Sequence, residues 1–166
     1  FIFLIIGTTL VVILYDSLDD FLSLIKFDFI EIILYGVIPG LIIVLIDIVL
    51  IRLLPSSYYD DGGINKRIFK ALSIPHIFAV TLLIAISEEL LFRGVIHTFW
   101  GYLIASTIFA LIHVRYLNKI VLLVSVFLLS FLIGYMYEIT NNLLVPIAAH
   151  YCIDLFLGIY YRLFMK

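Results

Sequence analysis

The sequence predicts an all-α, polytopic membrane helix bundle of about six transmembrane helices, with residues 1–166 forming a single membrane-embedded domain. Three observations carry this expectation. First, 65% of the 166 residues are hydrophobic and 13% charged, with a mean hydropathy of +1.27; soluble domains average about 45–50% and about 25%. Second, the apolar residues form long runs separated by short polar segments, and about 20 such residues cross a bilayer as a helix. Third, the basic residues crowd onto one side of the topology those runs define. In lipid every backbone polar group must be satisfied within its own segment, so a helix is the default for each run.

The elements follow in order. Residues 1–15, "FIFLIIGTTLVVILY", are short and read as a truncated first span, because the sequence opens at Phe1 inside an apolar run. Residues 29–54 form a second span, expected to be interrupted at Pro39 and Gly40. "PSSYYDDGGINKR", residues 55–67, is a polar loop rich in turn residues. A third span covers 71–97, and Trp100 and Gly101 mark a turn. Residues 102–114 make a short fourth span, 120–137 a fifth and 143–164 a sixth.

With six spans, Arg52, Lys66, Arg67, Lys70, Arg115, Lys119, Arg162 and Lys166 share one side. The other side carries only Lys26, among Asp16, Asp19, Asp20, Asp28, Glu31 and Glu138. Basic loops stay in the cytoplasm, so both termini are expected inside. A net charge of −2 gives no footprint for nucleic acid. The one cysteine, Cys152, excludes an internal disulfide and reads as a packing residue.

A charge at mid-depth in a bilayer costs about 2.5–3.5 kcal/mol on insertion scales, so each one is a functional hypothesis. The third span contains "ISEELLFRGVI", with Glu88, Glu89 and Arg93, followed by His97. His113 ends the fourth span in "FALIHVRY", and His150 and Asp154 lie in the sixth, in "AAHYCIDLF". Asp47 stands alone in the second span, without an assigned role. Glu89 and Arg93 are four residues apart and meet on one helical turn, while Glu88 points about 100° away. His150 and Asp154 share the same spacing, so the carboxylate can orient the imidazole.

Plainer readings exist for each part. Glu89 with Arg93 can be a structural pair, His113 can sit at the headgroups beside Arg115, and His150 with Asp154 can clip two helices together. His76 and His97 read as interfacial. The joint occurrence of these groups on three spans favours one hydrated cavity into which all three polar faces point.

In such a cavity, burial and nearby cations act on the Glu88 proton in opposite senses, and that competition can poise it as a general base. A carboxylate and a histidine on facing helices can hold and deprotonate one water. A second histidine can then donate to the oxyanion formed when that water attacks a carbonyl. This suffices for peptide hydrolysis. Glutamate and two histidines also suit zinc with an open position for water, so a divalent metal held by Glu88, His113 and His150 is the alternative to metal-free catalysis. A serine nucleophile is disfavoured: Ser87 lies in no Gly-x-Ser-x-Gly, and Ser73, Ser106, Ser125 and Ser130 stand isolated in apolar runs.

"EELLFR", Glu88 to Arg93, resembles the Glu-Glu-x-x-x-Arg motif of the CAAX prenyl protease and bacteriocin-processing (CPBP, or Abi) family of intramembrane proteases. "FALIH", Phe109 to His113, is similar to its Phe-x-x-x-His motif, and "HYCID", His150 to Asp154, to its third motif, His-x-x-x-Asn or Asp. Order and spacing agree, and the resemblance covers about residues 71–160. It implies an intramembrane endopeptidase acting on a membrane-bound peptide or protein, in bacteriocin immunity or peptide maturation, in a bacterial plasma membrane. By resemblance, Glu88 and His113 would activate the water, His150 and Asp154 would form the oxyanion site, and Glu89 and Arg93 would support the first motif. The CAAX-processing branch has Asn where this sequence has Asp154. An ionised Asp cannot donate a hydrogen bond, so it would hold His150 as the donor or ligate a metal.

Two other classes compete. A proton-coupled small transporter also uses buried Glu, Asp and His, but the sequence has no internal repeat or paired broken helices. A non-catalytic membrane immunity or binding protein would use the same residues as structural glue.

Overall fold

The computed structural model describes residues 2–59, 61–116 and 119–165, with the backbone alone at Ser56, Ser57 and Arg115. Phe1 of the expected first span, Asp60 of the polar loop, and Lys166 and the Arg115 side chain of the basic set lie outside the described residues. All regular structure among the described residues is helical. The principal helices are α1 (Ile2–Leu14), α2 (Phe29–Leu53), α3 (Ile64–Ala71), α4 (Ile74–Trp100), α5 (Tyr102–Ile112), α6 (Ile120–Thr140) and α7 (Leu144–Phe164). Among the described residues, α2, α4, α6 and α7 are long and apolar enough to cross a membrane. α1 and α5, with 13 and 11 residues, are shorter. The six expected spans therefore appear as four full-length helices and two short ones.

α2 corrects an expectation: Pro39 and Gly40 do not interrupt it. Proline removes one N–H and crowds the carbonyl four residues earlier, and the helix absorbs this by widening into a π turn over Ile33–Val37, just before Pro39. A second, longer π segment, Leu90–His97, follows the two glutamates of α4. Such segments disturb the regular ladder and recur at functional sites. Here side-chain hydroxyls cover the carbonyls: Thr98 Oγ1 donates to Arg93 O at 3.1 Å, and the Tyr15 hydroxyl donates to Gly94 O.

α7 is the central helix and packs against α2, α3, α4 and α6; α5 lies against α6 and the π segment of α4. α2 and α7 touch most closely through Gly36 and Gly40. A Cβ on Gly36 would come within 2.8 Å of the Val145 carbonyl oxygen, and one on Gly40 within 2.9 Å of that of Ala149. Small residues four apart let membrane helices approach backbone to backbone. The register is that of parallel helices: Gly36 faces Val145, Gly40 faces Ala149, and the Arg52 guanidinium lies 6.0 Å from the Tyr160 ring. Ile43, Val44, Ile133, Met136, Val145, Ala149 and Ile153 fill the core between α2, α6 and α7.

The two ends of the bundle differ. At one end Asn142, fully buried, donates to Lys26 O at 2.9 Å and to Glu31 Oε2 at 2.8 Å, tying the start of α7 to the segment before α2. At the other, Arg162 donates to the carbonyls of Lys70 and Leu72. That end gathers α3, with Lys66, Arg67 and Lys70, together with Arg52.

Candidate active site

The adjacent glutamates of α4 part company. Glu89 turns into the wall between α4, α6 and α7 and is fully buried. Its Oε1 accepts from Arg93 NH1 at 3.1 Å and from His150 Nδ1 at 2.7 Å. Arg93 is also fully buried, and its NH2 reaches Ser130 O on α6 at 2.9 Å. Glu88, one residue earlier, faces a cavity of about 310 Å³. The same cavity is lined by Phe109 and His113 from the end of α5 and by His150 and Asp154 from α7. Residues from three helices, expected from the sequence to meet, are thus brought to one space.

Both histidines have defined orientations. His113 Nδ1 donates to Phe109 O at 2.8 Å. In a neutral ring that leaves Nε2 as the acceptor, the form a base requires. In His150, Nδ1 donates to Glu89, and Nε2 stands 3.5 Å from Asp154 Oδ2. Both ring nitrogens of His150 face carboxylate oxygens, so this ring is set up as a donor.

Phe109 joins the parts. Its ring lies 4.6 Å beneath the Arg93 guanidinium carbon, 5.0 Å from the His113 ring and 5.9 Å from the His150 ring, and meets Phe92 edge to face at 5.0 Å. A guanidinium over an aromatic face gains electrostatic attraction that grows when water is excluded. One side chain therefore fixes the spacing of the buried cation and both imidazoles.

Several placements went beyond the sequence reading. Glu89 is bonded to His150 directly rather than acting through Arg93 alone. Ser106 and Ser130, read as isolated, bond reciprocally between α5 and α6: Ser130 Oγ donates to Ser106 O at 2.8 Å, and Ser106 Oγ to Ser130 O at 3.4 Å. Ser125 lines the cavity, as does Asp47. His97 is buried, with Nε2 donating to Glu138 Oε2 at 2.7 Å, away from the cavity. His76 is exposed and bonded to Ser73 Oγ.

Among the described residues, no three His, Cys, Asp or Glu side chains stand as a single metal ion would require. The set Glu88, His113 and His150 does not form a ligand cluster, and no step below passes through a metal.

Fold and site together define an integral membrane protein with a cavity among its helices into which carboxylate and imidazole groups reach. Residues 70–156, just over half of the sequence, match the family model of type II CAAX prenyl endopeptidase Rce1-like proteins, and the chain belongs to that family, within the CPBP group. The match falls within the 71–160 core expected from the three motifs but for its first residue. A Bacillus subtilis (strain 168) relative, "Uncharacterized protein YpbD", is 50% identical over 140 residues, which cover 84% of this chain and 74% of the relative. No solved structure matches the chain.

Proposed function

We propose that the protein is an intramembrane endopeptidase that hydrolyses membrane-associated peptides or proteins with a water activated by Glu88 and His113. The observation that carries this reading is the shared cavity: Glu88, His113, His150 and Asp154 all line it. His113 offers Nε2 to a water held against Glu88, and the pair removes its proton as the oxygen attacks the amide carbonyl. The developing oxyanion takes a hydrogen bond from His150 Nε2, which Asp154 orients. Proton transfer to the departing amine completes bond cleavage, returned from Glu88 or His113. Glu89, Arg93 and Phe109 hold the imidazoles and the glutamate-bearing turn in place. The membrane is the plasma membrane of a bacterium, with the basic end of the bundle in the cytoplasm.

The test is cleavage of a fluorogenic peptide inserted in micelles. Glu88→Gln and His113→Ala each reduce the rate by about 10²-fold or more, the usual contribution of general acid–base catalysis, while the proteins remain monodisperse and melt cooperatively. Full activity in both variants sinks the water-activation scheme.

A further inference from the structure

The cavity extends well past the groups used above. On α7 it is lined by His150, Ile153, Asp154, Leu157 and Tyr161, one helical stripe spanning twelve residues, or about 16 Å from His150 to Tyr161 at 1.5 Å per residue. Its far half is walled by Tyr59, Phe69, Tyr116 and Tyr161, with Asp47 from α2.

Asp47 is turned inward by its helix. Gly40, Ile43 and Val44 are buried against α7 and the core, and Asp47 lies seven, four and three residues beyond them, on the same face. It is half-buried and makes no hydrogen bond or ion pair with any described residue, and a carboxylate held partly away from water is stabilised by a partner of opposite charge. The arginines at this end are engaged elsewhere: Arg52 lies over Tyr160, and Arg162 donates to the Lys70 and Leu72 carbonyls. Among the described residues, no Lys or Arg lines the cavity, whereas Asp47, Glu88 and Asp154 do. Tyr161 stacks on Phe69 with ring centroids 6.4 Å apart, and Asp47, Tyr59 and Tyr116 line the same cavity. A carboxylate among aromatic faces is the chemistry that recognises an organic cation.

We propose that Asp47, with Tyr59, Tyr116 and Tyr161, forms a subsite for a lysine or arginine side chain of the peptide substrate. The parallel register of α2 and α7 sets its distance from the reaction. Gly40 faces Ala149, which puts Asp47 level with Leu157's turn, about seven residues or 10 Å along the axis from His150. An extended peptide advances about 3.3 Å per residue. The selected side chain therefore sits about two to three residues from the cleaved bond. This subsite rests on the endopeptidase reading for its purpose, but not for its binding chemistry.

The experiment uses the full chain in maltoside micelles, which carry no charge to attract a basic peptide. Peptides that differ only by Lys, Ala or Glu at each position near the cleaved bond are compared by kcat/KM. The Lys peptide is favoured over Ala by about tenfold or more, Asp47→Asn reduces that ratio to about one, and Asp47→Lys reverses it in favour of Glu. The reversal is a gain that unfolding cannot produce. Binding of the same labelled peptides to Glu88→Gln, with and without Asp47→Asn, is measured in parallel. A lysine preference in binding that depends on Asp47, without cleavage by the wild-type protein, supports the subsite and sinks the protease reading. Equal binding of Lys and Ala peptides, or a preference that survives Asp47→Asn, overturns the subsite whatever the cleavage result.

Discussion

Arg93 and Glu89 are fully buried ions whose existence in this setting depends on each other and on His150 and Ser130. Removing one partner of a buried pair leaves an uncompensated charge and costs about 3–5 kcal/mol. Arg93→Met should therefore lower the melting temperature markedly in detergent. The double variant Arg93→Met with Glu89→Gln should recover part of the loss, because the amide keeps a neutral acceptor for His150 Nδ1. A double variant no more stable than Arg93→Met would mean that the guanidinium stabilises chiefly through Phe109 and Ser130. The i,i+4 spacing made the Glu89–Arg93 pair legible in the sequence, and the 100° step between neighbours foretold that Glu88 would face elsewhere. The Glu89–His150 bond was not legible, because it depends on the register between α4 and α7, which no spacing within one helix records. Phe109 was legible as part of a motif but not as the ring on which Arg93, His113 and His150 converge. Ser130 gave no signal, since its carbonyl is the principal acceptor for Arg93 and any residue carries one.

The glycines of α2 act at the scale of the helix pair. Gly36 and Gly40 each stand where a methyl group would press on a backbone carbonyl of α7, and backbone cannot move aside as a flexible side chain can. Gly36→Ala and Gly40→Ala should each destabilise by about 1–3 kcal/mol, the usual range for overpacking, and Gly40→Leu should separate the two helices enough to abolish cleavage. Thermal unfolding and activity measured on the same preparation check this; Gly40→Leu with wild-type melting would refute the close contact. From the sequence, Pro39 and Gly40 read as an interruption, because proline ordinarily ends or kinks a helix. What that reading missed is that a π turn can accommodate the ring while α7 rewards a straight approach. The second π segment left no trace either: nothing in "LLFRGVIH" distinguishes it from ordinary helix, and only the hydroxyls of Tyr15 and Thr98 on the carbonyls of Gly94 and Arg93 mark it.

At the scale of the molecule, charge is sorted between the two ends. Arg52, Lys70 and Arg162 gather at one end, and Lys26 and Glu31 meet Asn142 at the other. Basic segments resist translocation, so a reporter fused after Lys166 should be active only when it functions in the cytoplasm, and one inserted between Asp16 and Asp28 only outside. The reverse pattern would invert the bundle and put its basic end on the outer surface. The overall architecture was legible because hydropathy and charge bias are properties of the whole sequence. The number of full-length crossings was less so, since the apolar run at 102–112 looks like a span but stops short.

That shortness has a physical consequence. α5, with 11 residues, is about 16 Å long, roughly half the thickness of a hydrocarbon slab of about 30 Å. Where α5 ends at Ile112, lipid tails have too little protein to cover, and a bilayer meets such a mismatch by pinching inward around the molecule. A bilayer around the chain should therefore draw in beside His113, bringing the headgroups nearer to the cavity than a slab of nominal thickness would. A thick, sterol-stiffened membrane would resist that dimple; a thin, pliant one yields to it at little elastic penalty.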